Sequence, residues 1–194
     1  MPPKVKITKE HILQTVICLV RTNGPQAINA RTIASALNCS TQPIFSNFAT
    51  MDALQEAALS AAYDIYLQFL TQEAQRGKYP RYKALGMAYI RFAMEEKELF
   101  RFLFLRDRNG QELIPTPDFS ESVEIIMGAN GVSREVAQRM HLEMWACVHG
   151  IGTMLATSFL SLDWELVSNM LTDIYQGIRA RHLTEESKKC MQLK

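Results

Sequence analysis

At 194 residues, 47% apolar, 21% charged and 9% aromatic, the chain has the composition of an ordinary globular protein with room for one or two domains. Lys and Arg number 21 against 20 Asp and Glu, so the formal net charge of +1 points to no polyanion or acidic membrane, and a polyanion partner would need a local basic surface. The apolar content excludes disorder, 9 Gly and 7 Pro without a period exclude collagen-like repeats, and 4 Cys are too few for a disulfide scaffold.

The prolines lie at positions 2, 3, 25, 43, 80, 115 and 117, which leaves 44–79 and 118–194 open to long helices. Ile12, Leu13, Val16, Ile17, Leu19 and Val20 mark one face of a first helix, with Thr8 as N-cap and Gly24-Pro25 as the stop. A short second helix runs from Asn29 as N-cap to Leu37, and Asn38 can take the left-handed conformation that ends it. A third starts at Ser40 and runs to Phe48, with Pro43 tolerated in its first turn. Thr50 then caps a long helix in which Leu54, Ala58, Ala61, Ile65 and Phe69 recur up to about Arg76.

After a break at Gly77 to Pro80, helical spacing resumes from Arg81 through Leu85, Ala88 and Phe92. The block Leu99 to Leu105 is so densely apolar that it is either buried or walls a cavity. A polar loop over 106–117 precedes a short helix carrying Phe119, Val123, Ile126 and Met127, ended by Gly128 to Gly131. Ser133 opens what reads as the longest helix, 133–161, with Val136, Met140, Met144, Val148, Ile151, Leu155 and Phe159 on one face. A last helix over 163–182 carries Leu166, Val167, Met170, Leu171, Ile174 and Ile178. With no strand-turn-strand pattern, the expected fold is all-α with about nine helices.

The basic N-terminal stretch lacks the continuous apolar run of a signal peptide, and no stretch reaches the length of a membrane span. The widely spaced cysteines contain no C-x-x-C and read as reduced packing residues of a cytoplasmic protein.

Residues 29–48 carry the informative motif. A short helix, a tight turn and a second short helix require a small residue in the first (Ala34), an apolar residue at the turn (Cys39) and apolar anchors in the second (Ile44, Phe48). Thr41, Gln42 and Ser46 then project away from the core, as a recognition helix in a DNA major groove would present them. The order of a first helix, Ile33-Ala34, Asn38-Cys39-Ser40, Pro43-Ile44-Phe45-Ser46-Asn47-Phe48 and Leu54 resembles the TetR/AcrR family of bacterial one-component transcriptional regulators over about the first 60 residues. Two positions depart from that pattern: Phe45 stands where the family usually has tyrosine, without its phosphate-binding hydroxyl, and Asn38 where it usually has glycine.

The resemblance implies a helix-turn-helix DNA-binding domain over 1–52 and a ligand-binding and dimerisation domain over 53–194. It implies a homodimeric repressor that binds a palindromic double-stranded operator and is released by a small-molecule effector. It assigns DNA contacts to Arg31, Thr41, Gln42, Phe45, Ser46 and Asn47, and Lys4, Lys6 and Lys9 add a basic arm before the first helix. Among these, Gln42 has the donor-acceptor pair that suits adenine and Arg31 the fork that suits guanine or phosphate. Charge runs the same way: residues 1–60 hold five basic side chains (Lys4, Lys6, Lys9, Arg21, Arg31) against three acidic ones (Glu10, Asp52, Glu56), a net of +2 in a chain of +1.

Trp145, His149 and Gly150 are similar to a Trp-x-x-x-His-Gly signature of one C-terminal subgroup of that family, and Gly150 is expected to let another helix approach closely. The two longest helices, 133–161 and 163–182, are the material that family analogy gives to the dimer. Met87, Phe92, Phe100, Phe104, Met127, Met144, Trp145 and His149 form a set rich in Met and aromatics, readable either as core or as an adaptable effector pocket. His149 is open to two roles, a satisfied buried histidine or a hydrogen-bonding partner of a polar ligand. No metal is expected, because His141 and His149 stand two turns, about 12 Å, apart along one helix. No nucleophile motif, phosphate loop or cofactor fingerprint is present, so neither a catalytic residue nor a cofactor is expected. The rival reading is a helical interaction module with a degenerate helix-turn-helix that does not read DNA.

Overall fold

A computed structural model of the chain describes residues 7–106 and 119–192. Nine α-helices and one 3-10 turn, with no strand among the described residues, make the fold all-α. The helices are α1 (Lys9–Asn23), α2 (Ala30–Ala36), α3 (Gln42–Asn47), α4 (Met51–Gln75), α5 (Arg81–Glu95), α6 (Lys97–Phe104), α7 (Ser120–Asn130), α8 (Arg134–Ala156) and α9 (Trp164–Gln192). No helix among the described residues is long and apolar enough to cross a membrane. The described residues fall into two compact units, one formed by 7–67 with 96–106 and the other by 68–95 with 119–192. The expected boundary at 52/53 lies in the first turn of α4, and the first division between the units falls at residues 67/68 of the same helix.

Local chemistry sets the helix starts. Thr8, Asn29, Thr50 and Ser133 each accept a hydrogen bond from the backbone N–H three residues on, which satisfies one donor of the first turn. Helix α3 starts at Gln42 rather than at Ser40, and its N-cap Thr41 makes no such side-chain bond. Helix α2 ends in a Schellman motif: Asn38 takes a left-handed φ of 51°, its N–H donates to Ser35 O, and Cys39 N–H donates to Ala34 O. The same device ends α8 at Ala156, five residues short of the expected end. Ser158 turns left-handed and Phe159 N–H donates to Met154 O, so Phe159 lies beyond the helix and is 76% exposed. Helix α7 passes through Gly128 and stops only at left-handed Gly131. The longest helix is α9, with 29 residues to the 23 of α8.

In the N-terminal unit, Ile12, Val16 and Val20 of α1, Ile33 of α2, Ile44 of α3 and Leu54 of α4 are fully buried. The apolar block at 99–105 belongs here: α6 packs against α1 and the 3-10 turn at Pro25–Ala27, with Leu99, Phe100, Phe102 and Leu103 buried. Arg21 and Glu96 tie α1 to the start of α6 through a two-pronged ion pair of 2.6 and 2.9 Å. Cys18 faces solvent on α1 and so is not the packing residue expected, whereas Cys39 and Cys147 are half-buried and all three are free thiols.

In the second unit α5 is central, packed against α7, α8 and α9. A close approach occurs at Gly86 of α5, where a Cβ would sit 3.3 Å from Leu171 Cδ1 and 3.4 Å from Val148 Cγ2. Gly150, expected to serve that purpose, has nothing within 4 Å of a built Cβ, so its missing side chain leaves an open spot on α8. Buried Glu73 accepts from Arg76 and Arg91 at 3.1 and 3.0 Å, and Arg91 lies 5.0 Å over the Trp164 ring, joining α4, α5 and α9.

Candidate functional sites

The first site is the outer surface of α2, the turn and α3. Ile33, Ala34, Ile44 and Phe48 bury the inner side, and helical spacing therefore turns Gln42, Phe45 and Ser46 outward, where all three are exposed. Phe45 is 48% exposed, an aromatic ring on an otherwise polar helix face. Thr41 is half-buried at the N-cap. Ser46 donates its hydroxyl to Gln42 O, leaving its oxygen lone pairs free as acceptors. Arg31 is exposed on the first turn of α2. Lys9 is exposed with its ammonium 5.1 Å from the centre of the Phe48 ring, close to α3. Lys4 and Lys6 lie outside the described residues.

Asn47 behaves differently from the other expected contacts. Its Nδ2 donates to Pro43 O at 2.8 Å and to Ile7 O at 3.3 Å, so the amide fastens the segment before α1 to α3. Its geometry is that of a brace, a role that residue type and spacing gave no sign of. Arg21, counted in the basic balance of this region, is occupied by Glu96.

The second site lies in the other unit. A cavity of about 400 Å³ opens between α7 and α8, walled by Phe119, Val123, Leu142 and Trp145 with Gln138 and His141. Two tyrosine–histidine pairs join α5 to α8 beside it: Tyr82 Oη to His141 Nδ1 at 2.9 Å and Tyr89 Oη to His149 Nδ1 at 2.8 Å. Trp145 sits between the histidines in sequence and stacks on His149, centroids 5.1 Å apart and planes 14° from parallel. Burial holds the Tyr82 phenol well above the ordinary tyrosine range, so it keeps its proton, and burial pushes the His141 imidazole below its ordinary range, so it stays neutral near pH 7.

Of the eight residues expected to line an effector pocket, Trp145 lines this cavity. Met87 and Phe92 are fully buried, Met144 is buried, and Met127 packs against the cluster of Val123, Ile126 and Met140. His149 is held by Tyr89 and Trp145. Phe100 and Phe104 belong to the other unit, where Phe104 meets Tyr66 edge-on at 5.4 Å. The tyrosines were missed in the sequence, although Tyr82 and Tyr89, seven apart on α5, face His141 and His149, eight apart on α8; two such periods on facing helices were the available signal. The chain matches no known family model, and no curated protein matches it.

Proposed function

We propose that the protein is a sequence-specific DNA-binding regulator that reads a palindromic operator as a homodimer, through α2 and α3, and responds to a small molecule bound by its second unit. The observation that carries this reading is the division of α3: Ile44 and Phe48 are buried as anchors while Gln42, Phe45 and Ser46 stand exposed, with Arg31 exposed on the preceding helix. That is the geometry by which a recognition helix enters a major groove, and the resemblance of about the first 60 residues to the TetR/AcrR family agrees with it. For the dimer, Ala146 and Gly150 lie four residues apart along α8, Ala146 exposed and Gly150 open, a small-residue face suited to a second copy.

Selection of bound sequences from random duplex DNA, followed by footprinting, tests the reading. Gln42→Ala is expected to relax discrimination at one position of each half-site by about 1–3 kcal/mol with the fold unchanged. Equal affinity for all sequences, or none for any, would overturn it. A second reading, in which α2 and α3 form a protein-interaction surface, is favoured by one observation: the exposed Phe45 ring on a face with few cations. The same selection separates the two, since a protein-interaction surface enriches no sequence.

A further inference from the structure

His141, which lines the cavity between α7 and α8, carries a buried polar atom with no hydrogen-bond partner. His141 Nδ1 lies 2.9 Å from Tyr82 Oη; with the phenol as donor in that bond, the neutral imidazole carries its hydrogen on Nε2. That Nε2 is buried without a hydrogen-bond partner. It lies on the side of the ring away from Tyr82, and the ring itself forms part of the cavity wall. A buried donor of this kind is costly to leave unmade and is a standing site for an acceptor.

We propose that this cavity binds a small, uncharged, planar heteroaromatic molecule that presents a hydrogen-bond acceptor to His141 Nε2. Its volume of about 400 Å³ falls in the range of small-molecule sites. Its walls are aromatic and aliphatic, and Trp145, held flat by His149, supplies a fixed ring against which a second ring can pack. An uncharged ligand suits this lining: Arg134 is paired with Glu124, and burial pushes the His141 imidazole toward its neutral form. Phe119 lies against His141 with ring centroids 4.7 Å apart, so an entering ring takes over a contact that Phe119 now makes. Leu142, 62% exposed, stands in the cavity wall. A role as effector site rests on the regulator reading; the binding itself does not.

Quinoline, with one acceptor nitrogen, and naphthalene, its isostere without one, test the proposal when each is titrated into the full chain and followed through the indole N–H resonances of Trp145 and Trp164. Quinoline is expected to move the Trp145 resonance, to leave Trp164 in place, and to bind about tenfold more tightly than naphthalene. His141→Phe should bring the two affinities to within about twofold, because it keeps an aromatic ring and removes the donor. Leu142→Arg, at an exposed position that leaves the core intact, should weaken both probes about tenfold. Equal affinities in the unmodified protein, an unmoved Trp145, or quinoline binding indifferent to Leu142→Arg would each overturn the proposal. Quinoline binding with this dependence on His141 but no effect on operator affinity would support the site and count against the regulator reading. Operator binding with no response at Trp145 would overturn the site and leave that reading standing.

Discussion

Replacing Arg31 with alanine should flatten the salt dependence of operator binding while the fold stays intact. Of the five basic side chains in residues 1–60, Arg21 is committed to Glu96 by two hydrogen bonds, which leaves Lys4, Lys6, Lys9 and Arg31 in each protomer to meet phosphates. If every one of them engages in a dimer, counterion release gives a slope of log K against log salt of about −7, at roughly −0.9 per contact. Arg31→Ala removes two contacts per dimer and brings the slope to about −5, so that raising salt from about 50 to 200 mM costs about 10³-fold in affinity rather than 10⁴-fold. Fluorescence anisotropy with a labelled operator obtained by selection measures both slopes. Arg21→Ala is the matched control, expected to lower stability slightly and to leave the slope unchanged because its charge is already neutralised. An Arg31→Ala slope equal to that of the unmodified protein, or a control that shifts the slope as much, would refute the reasoning.

Three further outcomes are expected. Ile44→Ala, at the fully buried anchor of α3, should cost about 2–5 kcal/mol in urea unfolding through the cavity it leaves, and operator binding should fall with it. Because burial lowers the His141 pKa in the folded state, the unfolded chain binds the proton first as pH falls; stability is full above the unfolded value of about 6.5 and is lost as pH drops below it toward the folded value. Urea midpoints between pH 5 and 8 should show that loss, diminished in His141→Gln. Gly150→Arg, placed where a Cβ meets nothing within the chain, should leave thermal unfolding of the protomer nearly unchanged yet abolish the dimer in sedimentation, and a dimer that persists would move the interface away from α8.

Much of the architecture was legible because it is written locally. Thr8, Asn29, Thr50 and Ser133 cap helices through oxygens that reach only three residues along the chain, so residue type and position suffice to find them. The outward face of α3 was legible for a similar reason, since a 3.6-residue repeat that buries Ile44 and Phe48 must expose Gln42 and Phe45. Helix ends were less so. Phe159 continued the apolar spacing of α8, and nothing in that spacing signals that Ser158 takes a left-handed turn without glycine.

The amino-acid sequence alone determined the helical class, the starts of α1, α2, α4 and α8 and the candidate recognition surface, because each follows from interactions within a few residues. Tertiary structure decided everything that depends on which face meets which. It assigned Phe100 and Phe104 to the N-terminal unit with α1, and it placed the close helix contact at Gly86 while leaving Gly150 open. It also turned Asn47 into a brace and paired Tyr82 with His141 across 59 residues of chain, leaving His141 Nε2 buried without a partner. Apolar periodicity states that a helix face will be buried; the partner is selected by shape and hydrogen-bond satisfaction among segments far apart in the chain.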